Sequence, residues 1–325
     1  MDLLMQFEIQ ITLFLQHLGT WLVIPFKGIT FLGNEEFYLL IMPALYWCVD
    51  ATLGFHMAVM LVMTNSINSY LKILFHSPRP FWVDSRVKAY VSETSFGIPS
   101  GHAQNAASIL GIMVVTLKKK WAIVVSALLI FLIGLSRVYL GVHFTRDVIA
   151  GWLIGFLLIG LYFLLEKPVS QWIGPKSLLF KIITSFLVSL VIIGLGFLIN
   201  EFVGNWQVPP AWINRALADG AGAPNPFNLE GNFTIAGVWF GFTTGYAWLL
   251  HKKGEIVVKG SASKRVIRYI IGLVGVAVLY AGLKLIFPIS PEWLGFSLRY
   301  VRYALLGTWV SALAPMLFEK LHLDV

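Results

Sequence analysis

Nine apolar runs, each close to the length that crosses a lipid bilayer, follow one another along most of this 325-residue chain. About 20 apolar residues in a helix span the hydrocarbon core, and a segment inside lipid must satisfy its own backbone hydrogen bonds. The chain is 58% apolar and 12% charged, whereas soluble domains carry about 25% charged residues. These features exclude an ordinary soluble protein and predict an all-α, polytopic membrane helix bundle of about nine transmembrane helices.

The predicted spans run approximately over residues 36–50, 53–75, 101–117, 121–139, 147–165, 179–200, 232–250, 267–287 and 301–319. The first 33 residues are apolar but interrupted by polar residues such as Gln6, Glu8 and Lys27, and they do not have the pattern expected of a secretory signal. This pattern favours an N-terminal amphipathic helix at the membrane interface, with a tenth span over residues 9–32 as the alternative.

Three parts of the chain follow from this pattern. We expect an interfacial segment (residues 1–33), a core of about five spans (34–166) and a C-terminal extension of about four spans (167–325). The extension contains a polar interruption, residues 201–231, that is rich in Pro, Asn and Gly. Such a composition predicts an extracytoplasmic loop or a re-entrant cap.

The net charge of +8 arises largely from basic residues near span ends. Lys118 to Lys120 and the later cluster from Lys252 to Arg268 are the main groups, and basic loops stay in the cytoplasm. This rule predicts an integral membrane protein with residues 76–100 and 137–147 on the extracytoplasmic face. The charge is therefore attributed to anionic lipid, and we expect no nucleic-acid partner. The sequence does not indicate an oligomeric state.

Three groups of polar residues stand at the ends of spans on this face. In the first group, Lys72 ends the second span and Arg79 follows between Pro78 and Pro80. The prolines prevent a continued helix and give the arginine a defined direction. Lysine and arginine at span ends also commonly extend toward lipid headgroups, which is the alternative for these two residues.

The second group, Pro99-Ser100-Gly101-His102, opens the third span. A helix N-terminus presents unpaired N–H groups and partial positive charge, and Gly101 lets an anion approach the backbone. Ser100 could serve as a plain N-cap, as a ligand to the anion or as both. His102 could instead be an interfacial histidine.

The third group starts at Ser136-Arg137, where the fourth span closes, and continues to His143 and Asp147 at the entry of the fifth. The spacing of four places these last two residues on one helical face. The carboxylate can then accept a hydrogen bond from one imidazole nitrogen and leave the other free to attack. A simple helix-stabilising pair is the alternative.

Together, Lys72-x6-Arg79-Pro80, the Pro99 to His102 motif and Ser136-Arg137-x5-His143-x3-Asp147 resemble the three-part signature of the type 2 phosphatidic acid phosphatase superfamily. This superfamily includes lipid phosphate phosphatases and vanadium haloperoxidases. The resemblance is close over residues 65–150 and looser over 35–165. The segment from Gly33 to Tyr38 and the pair Tyr46-Trp47 also look similar, more loosely, to a multispan branch that contains sphingosine-phosphate, dolichyl-diphosphate and glucose-6-phosphate phosphatases.

The resemblance implies a role for each matching residue. His143 is expected to be the nucleophile that forms a phosphohistidine, Asp147 to orient it, and His102 to protonate the leaving group. The residues expected to hold the phosphoryl oxygens are Lys72, Arg79, Ser100, Gly101 and Arg137. We expect neither a metal nor another cofactor, because three cations and a helix N-terminus can stabilise a phosphoryl group.

The predicted activity is metal-independent hydrolysis of a lipid phosphate monoester or diphosphate, an amphiphilic substrate that remains in the bilayer. A lipid phosphotransferase with the same intermediate and a transporter of a phosphorylated lipid are the alternatives. The hydropathy argues against a soluble haloperoxidase. Arg299 and Arg302, which flank the last span, fit either interfacial arginines or contacts to a second phosphate.

Overall fold

The structure is a computed structural model that describes residues 3–323. Every regular element of this range is helical, which confirms the all-α prediction. The α-helices are α1 (Leu3–His17), α2 (Val23–Phe31), α3 (Glu35–Cys48), α4 (Ala51–Phe75), α5 (Pro80–Val83), α6 (Gly101–Leu117), α7 (Lys120–Tyr139), α8 (Thr145–Ile173), α9 (Leu178–Val203), α10 (Pro210–Ala218), α11 (Glu230–Lys253), α12 (Ala262–Ala277), α13 (Leu283–Ile286), α14 (Glu292–Thr308) and α15 (Ala314–Lys320). A 3₁₀ turn, Thr20–Leu22, precedes α2, and π-helical stretches Val278–Gly282 and Trp309–Leu313 follow α12 and α14.

Seven helical stretches of the described chain are long and apolar enough to cross a membrane. They are Ala51–Val83, Lys120–Tyr139, Thr145–Ile173, Leu178–Val203, Glu230–Lys253, Ala262–Ile286 and Glu292–Lys320. The predicted count of nine is not confirmed, because α3 has 14 residues and α6 has 17, both fewer than the about 20 that typically cross the hydrocarbon core. The chain is nevertheless an integral membrane protein.

The N-terminal helices are sharply bent relative to each other. The segments Leu3–His17 and Thr20–Phe31 meet at 88°, so residues 3–31 do not form one straight helix. Gly19 lies at the bend with φ of +115°, a value that glycine adopts far more readily than other residues. The interfacial location of this segment stays a prediction.

The described residues form two compact units. One takes its residues from Met1–Phe37, Ile67–Gly160 and Phe197–Asn228, and the other from Tyr38–Ser66, Leu161–Gly196 and Leu229–Val325. The predicted division at residues 33 and 166 stays a prediction. The eight predicted site residues all belong to the first unit, hereafter the site unit.

In the site unit, α6 and α7 form a helical hairpin. Its turn lies at Lys118, which ends α6 in the left-handed conformation (φ 51°) and lets α7 start two residues later. The hairpin therefore places Arg137, in the last turn of α7, at the same end as Gly101, the first residue of α6. Close packing of α8 against α6 depends on Gly151, where a Cβ would lie 2.7 Å from Ser100 O.

The second unit is centred on α11 and α14, which pack backbone to backbone because a Cβ at Gly241 would collide with Ala304. The π-helical stretch after α14 leaves carbonyl groups free for side chains of α3. Tyr46 Oη donates to Ser311 O at 2.9 Å, and Trp47 Nε1 donates to Val310 O at 2.8 Å. Both aromatic side chains are therefore buried with their polar atoms satisfied.

Candidate active site

The first predicted motif joins the end of α4 to the loop that precedes α6. Lys72 lies in the last turn of α4, and its Nζ donates to Ser95 Oγ at 2.9 Å. Arg79 has extended backbone angles (φ −96°, ψ 155°), as its neighbours Pro78 and Pro80 predict. The side chains of Lys72 and Arg79 are thus both directed into the same part of the site unit.

The Arg79 guanidinium is fully buried and bonds the backbone around it. Nε donates to Ser95 O at 2.6 Å, Nη1 to Val142 O at 2.7 Å and Nη2 to Phe96 O at 3.2 Å. Nη1 also lies 3.2 Å from His143 Nε2. A planar fork of five N–H donors suits this geometry, and a lysine could not reproduce it. Arg79 therefore links the loop before α6 to the turn before α8.

Glu93, which the sequence analysis did not single out, bridges two predicted phosphate-binding arginines. Its Oε2 lies 3.4 Å from Arg79 Nη2, and its Oε1 accepts a hydrogen bond from Arg137 Nη2. Burial alone would raise the pKa of Glu93, but Arg79, Arg137 and Lys72 together hold this pKa below its usual range. Charge balance was the available sequence signal, since two buried arginines with Lys72 beside them need a counter-charge.

Arg137 connects this bridge to the N-terminal segment. Its side chain is 2% exposed, and Nη1 donates to Thr30 Oγ1 at 2.7 Å. Its Nε is buried without an acceptor among the residues that the structure describes. A residue of α2 thus contributes to the site, which the prediction of an interfacial segment did not anticipate.

Ser100 does not act as the plain N-cap that was one alternative. It occupies the N-cap position of α6, but its side chain accepts no hydrogen bond from the helix. Its backbone N–H donates to Asp147 O at 2.9 Å, while its buried Oγ has no partner within residues 3–323. The first turn of α6 therefore offers an unused hydroxyl beside free N–H groups, which suits an anion.

His102 is held by the short turn between α2 and α3. Its Nε2 lies 2.9 Å from Asn34 Oδ1, and a Cβ at Gly33 would stand 2.5 Å from the imidazole Cδ2. Because an amide oxygen only accepts, Nε2 carries the proton in this contact. The Gly33-Asn34 pair, noted in the sequence only as part of a looser resemblance, positions the predicted general acid.

His143 lies in the turn before α8, so it does not share a helical face with Asp147 as predicted, but the two side chains still meet. Nδ1 of His143 is 3.3 Å from Asp147 Oδ2, which also accepts the Phe144 N–H at 2.9 Å. Both side chains are buried. Burial, and then the cations Arg79 and Arg137, lower the pKa of His143 well below its usual range. The imidazole is therefore neutral at pH 7.

A cap from the C-terminal extension covers the loop that carries Glu93. This cap segment (residues 206–227) lies within the predicted polar interruption. Three hydrogen bonds join it to residues 89–94: Ala89 N to Asp219 Oδ2 at 2.5 Å, Gly222 N to Ser92 Oγ at 3.0 Å, and Asn225 N to Thr94 O at 2.9 Å. The cap segment therefore holds the chain on both sides of Glu93.

Aromatic side chains strengthen this attachment. Phe96 is fully buried between Trp206 and Phe227, with ring centres 5.4 and 5.5 Å away. Trp212 of α10 lies 6.0 Å from Trp82 of α5. Such pairs contribute beyond their buried area, so the loop before α6 has a rigid apolar support.

No group of three or more metal-ligating side chains of His, Cys, Asp or Glu is present among the described residues. The site instead concentrates cations and hydrogen-bond donors around two histidines. That donor set is suited to binding and activating a phosphoryl group.

Comparison with known proteins identifies two matched regions. Residues 53–169 match the family model of the PAP2 superfamily, and residues 233–324 match that of the PAP2 superfamily phosphatase, transmembrane extension. The first region contains all eight predicted site residues.

Two curated relatives and one solved structure are similar to part of the chain. Phosphatidylglycerophosphatase B of Bacillus subtilis is 32% identical over 151 residues, covering 42% of this chain and 72% of the relative. Sphingosine-1-phosphate phosphatase 1 of Rattus norvegicus is 28% identical over 140 residues, covering 41% of this chain and only 33% of the relative. A crystal structure of a transmembrane PAP2 type phosphatidylglycerolphosphate phosphatase from Bacillus subtilis aligns with a TM-score of 0.45 and 27% identity, covering 52% of this chain and 89% of that one.

Proposed function

This chain belongs to the PAP2 superfamily, and on that premise we propose that it is a membrane phosphatase that hydrolyses a lipid phosphate monoester or diphosphate through a phosphohistidine on His143. The observation that carries the proposal is the position of this imidazole between Asp147 and Arg79. The carboxylate accepts from Nδ1, which leaves the Nε2 lone pair directed at a cation that binds phosphate. A nucleophilic imidazole requires this tautomer.

In the first step, His143 Nε2 attacks phosphorus and the bond from phosphorus to the leaving oxygen breaks. Arg79 Nη1 transfers its hydrogen bond from Nε2 to a phosphoryl oxygen as the substrate binds. The Asp147 carboxylate stabilises the positive charge that develops on the ring. His102 takes up a second proton from solvent as the phosphate anion of the substrate enters the site. Since Asn34 holds Nε2–H of His102, the proton on Nδ1 is the one delivered to the leaving oxygen.

The phosphoryl oxygens are held by the groups that the site unit leaves available. Ser100 Oγ and the Nε of Arg137 are buried polar atoms without partners among the described residues, and both can donate to an oxygen anion. The first N–H groups of α6, at Gly101 and beyond, add a helix N-terminus. Lys72 supplies a further cation, and no metal is required for this charge stabilisation.

In the second step, His102, now neutral, removes a proton from a water molecule that attacks the phosphohistidine. The bond between phosphorus and Nε2 breaks, inorganic phosphate leaves and His143 is restored. The same residue acts as acid and then as base, which microscopic reversibility favours.

The membrane setting and the relatives support a lipid substrate. Both curated relatives are named for the hydrolysis of phosphate monoesters on lipids, and this chain presents its site within an integral membrane protein. We infer that the substrate is a phosphorylated lipid whose tail remains in the bilayer while the phosphate enters the cation cluster. The positive-inside pattern supports an extracytoplasmic site, which vesicles of defined orientation and a membrane-impermeant substrate would test.

The decisive test is phosphate release by the detergent-purified protein from phosphatidylglycerophosphate, sphingosine 1-phosphate, a polyprenyl diphosphate and glucose 6-phosphate. We expect release from the lipid substrates without an added acceptor and in the presence of EDTA. Activity that disappears with EDTA and returns with Mg²⁺ would overturn the mechanism. A requirement for an added acceptor would instead indicate the phosphotransferase.

The variants His143→Asn and His102→Asn separate the two steps. With 4-nitrophenyl phosphate, whose leaving group needs little protonation, His102→Asn should release nitrophenol in a burst equal to the enzyme concentration and then slow. His143→Asn should show no burst. Undiminished phosphate release from His143→Asn is incompatible with a phosphohistidine on this residue.

A further inference from the structure

Arg302 is a buried cation in the second unit, outside the predicted catalytic machinery. It lies on α14, ten residues after the helix begins, and its residue exposure is 7%. Ten residues of α-helix correspond to about 15 Å, which places Arg302 well within a membrane-spanning stretch. Charged groups at such a position are paired or have a function, because an unpaired charge in lipid or protein is costly.

The guanidinium of Arg302 has aromatic neighbours but no acceptor. It lies 5.0 Å from the ring centre of Tyr303 and 5.9 Å from that of Tyr280. It makes no hydrogen bond or ion pair with any described residue, and its Nε is fully buried. The ring faces attract the cation but leave its in-plane N–H donors unused.

Arg299, one turn earlier on the same helix, provides an internal comparison. Its Nε donates to Thr234 Oγ1 at 2.7 Å, and its Nη1 pairs with Glu230 Oε2 at 3.1 Å. The described residues of the second unit therefore supply a counter-charge to Arg299, which is more exposed, and none to the buried Arg302. That arrangement is expected when the counter-charge comes from a bound anion.

Two further features identify the kind of anion. Val301 and Leu305, on either side of Arg302 along α14, are 43% and 41% exposed, so an occupant can approach from the bilayer. Tyr280 belongs to the π-helical stretch Val278–Gly282, and such stretches are frequent at functional sites. A planar guanidinium matches phosphate bidentately, and aromatic rings beside it match the glycerol and acyl region of a phospholipid.

We propose that Arg302, with Tyr280 and Tyr303, binds the phosphate of an anionic phospholipid. The occupant is a phosphodiester lipid that the proposed phosphatase reaction does not consume. The site is therefore a lipid-binding site in its own right. The outcome of its binding test does not depend on whether His143 catalyses hydrolysis.

The test measures binding of phosphatidylglycerol, phosphatidylcholine and inorganic phosphate to the intact detergent-purified protein by native mass spectrometry. Wild type should bind phosphatidylglycerol more tightly than phosphatidylcholine, and Arg302→Met should weaken phosphatidylglycerol binding about tenfold. Arg299→Met removes the same charge from the same helix and should change binding by less than about threefold. Inorganic phosphate should not displace the lipid.

Arg302→Lys covers the case in which Arg302→Met does not fold. It retains the charge but loses the planar fork, so binding should fall about fivefold. The proposal is overturned by wild-type affinity in either Arg302 variant or by equal losses in Arg299→Met and Arg302→Met. Binding of inorganic phosphate at this site without binding of phosphatidylglycerol would also overturn the lipid assignment.

Discussion

Nη1 of Arg79 lies 3.2 Å from Nε2 of His143, so a predicted phosphate-binding cation directly contacts the predicted nucleophile. The same guanidinium is bonded to the backbone of the loop before α6 and of the turn before α8. One side chain thus sets the distance between the loop before α6 and the nitrogen that we propose as the nucleophile. Phosphoryl transfer depends mainly on such positioning.

The contact with Arg79 predicts how activity depends on pH. Burial, and then the Arg79 cation, lower the pKa of His143, so the acidic limb of kcat/KM should fall below the usual histidine value of about 6.5. Arg79→Gln removes one lowering cation and should move that limb to higher pH, besides reducing kcat/KM about 100-fold. Rate profiles from pH 4 to 9 measure both effects. If the acidic limb of kcat/KM does not move in Arg79→Gln, that limb reports the titration of a group other than His143.

The Glu93 bridge predicts a loss of stability when the carboxylate is removed. Glu93→Gln leaves two buried guanidiniums without their shared counter-charge and should lower the free energy of unfolding by about 3 kcal/mol. Thermal unfolding of both proteins in detergent measures this difference.

The pH dependence of that difference has a definite sign. The pKa of Glu93 is lower in the folded protein than its unfolded value of about 4.3, so the stabilisation is complete above that value and is lost as the pH falls below it. The stability advantage of wild type over Glu93→Gln should therefore be constant near neutral pH and shrink in acid. An advantage that grows in acid would contradict the bridge.

Ser100→Ala should separate stability from catalysis. The hydroxyl is buried without a partner, so its removal should leave the free energy of unfolding unchanged or slightly higher. If the hydroxyl donates to a phosphoryl oxygen, kcat/KM should fall at least tenfold. Ser136→Ala is a suitable control because the Oγ of Ser136 already bonds Ile133 O of its own helix. Equal activity in Ser100→Ala and wild type would remove Ser100 from the phosphate site.

The bond from Ala89 to Asp219 predicts that the cap segment supports catalysis. Asp219→Ala removes the acceptor and should loosen the loop on one side of Glu93, lowering kcat/KM about fivefold, mainly through KM. Asp219→Asn keeps an acceptor oxygen and should remain close to wild type. Steady-state kinetics at a fixed lipid mole fraction compare the two. An equal loss in both variants would point to the charge of Asp219 and away from the tether.

Local sequence signals were enough for the helical class and for the three motifs. The two flanking prolines are enough to predict the extended backbone of Arg79, and the local motif is enough to predict that α6 starts at Gly101. The structure shows both features. The count of nine spans is not confirmed, because hydropathy marks an apolar run without its helical length and α3 has only 14 residues.

Such local signals could not predict the contacts between segments that are distant in the sequence. Glu93, Asn34 and Thr30 are isolated polar residues in loops or helix ends, and each gains its role from a partner more than 10 residues away. Asp219 lies 130 residues from Ala89. No periodicity or spacing encodes these pairs, since they depend on how the helices pack. Of the alternatives for Ser100, the plain N-cap is not observed, because N-cap statistics describe a helix end without the rest of the site.

The cap segment means that the stretch matched to the family, residues 53–169, does not contain all the residues that support the predicted site. The family match over residues 53–169 marks a continuous stretch of sequence, yet the loop before α6 in that stretch is held by residues that come after α9. An excised fragment ending at residue 169 would leave the Ala89 N–H and the Phe96 ring without their partners. The predicted site residues therefore depend on the cap segment for their support, although that segment lies outside the matched stretch.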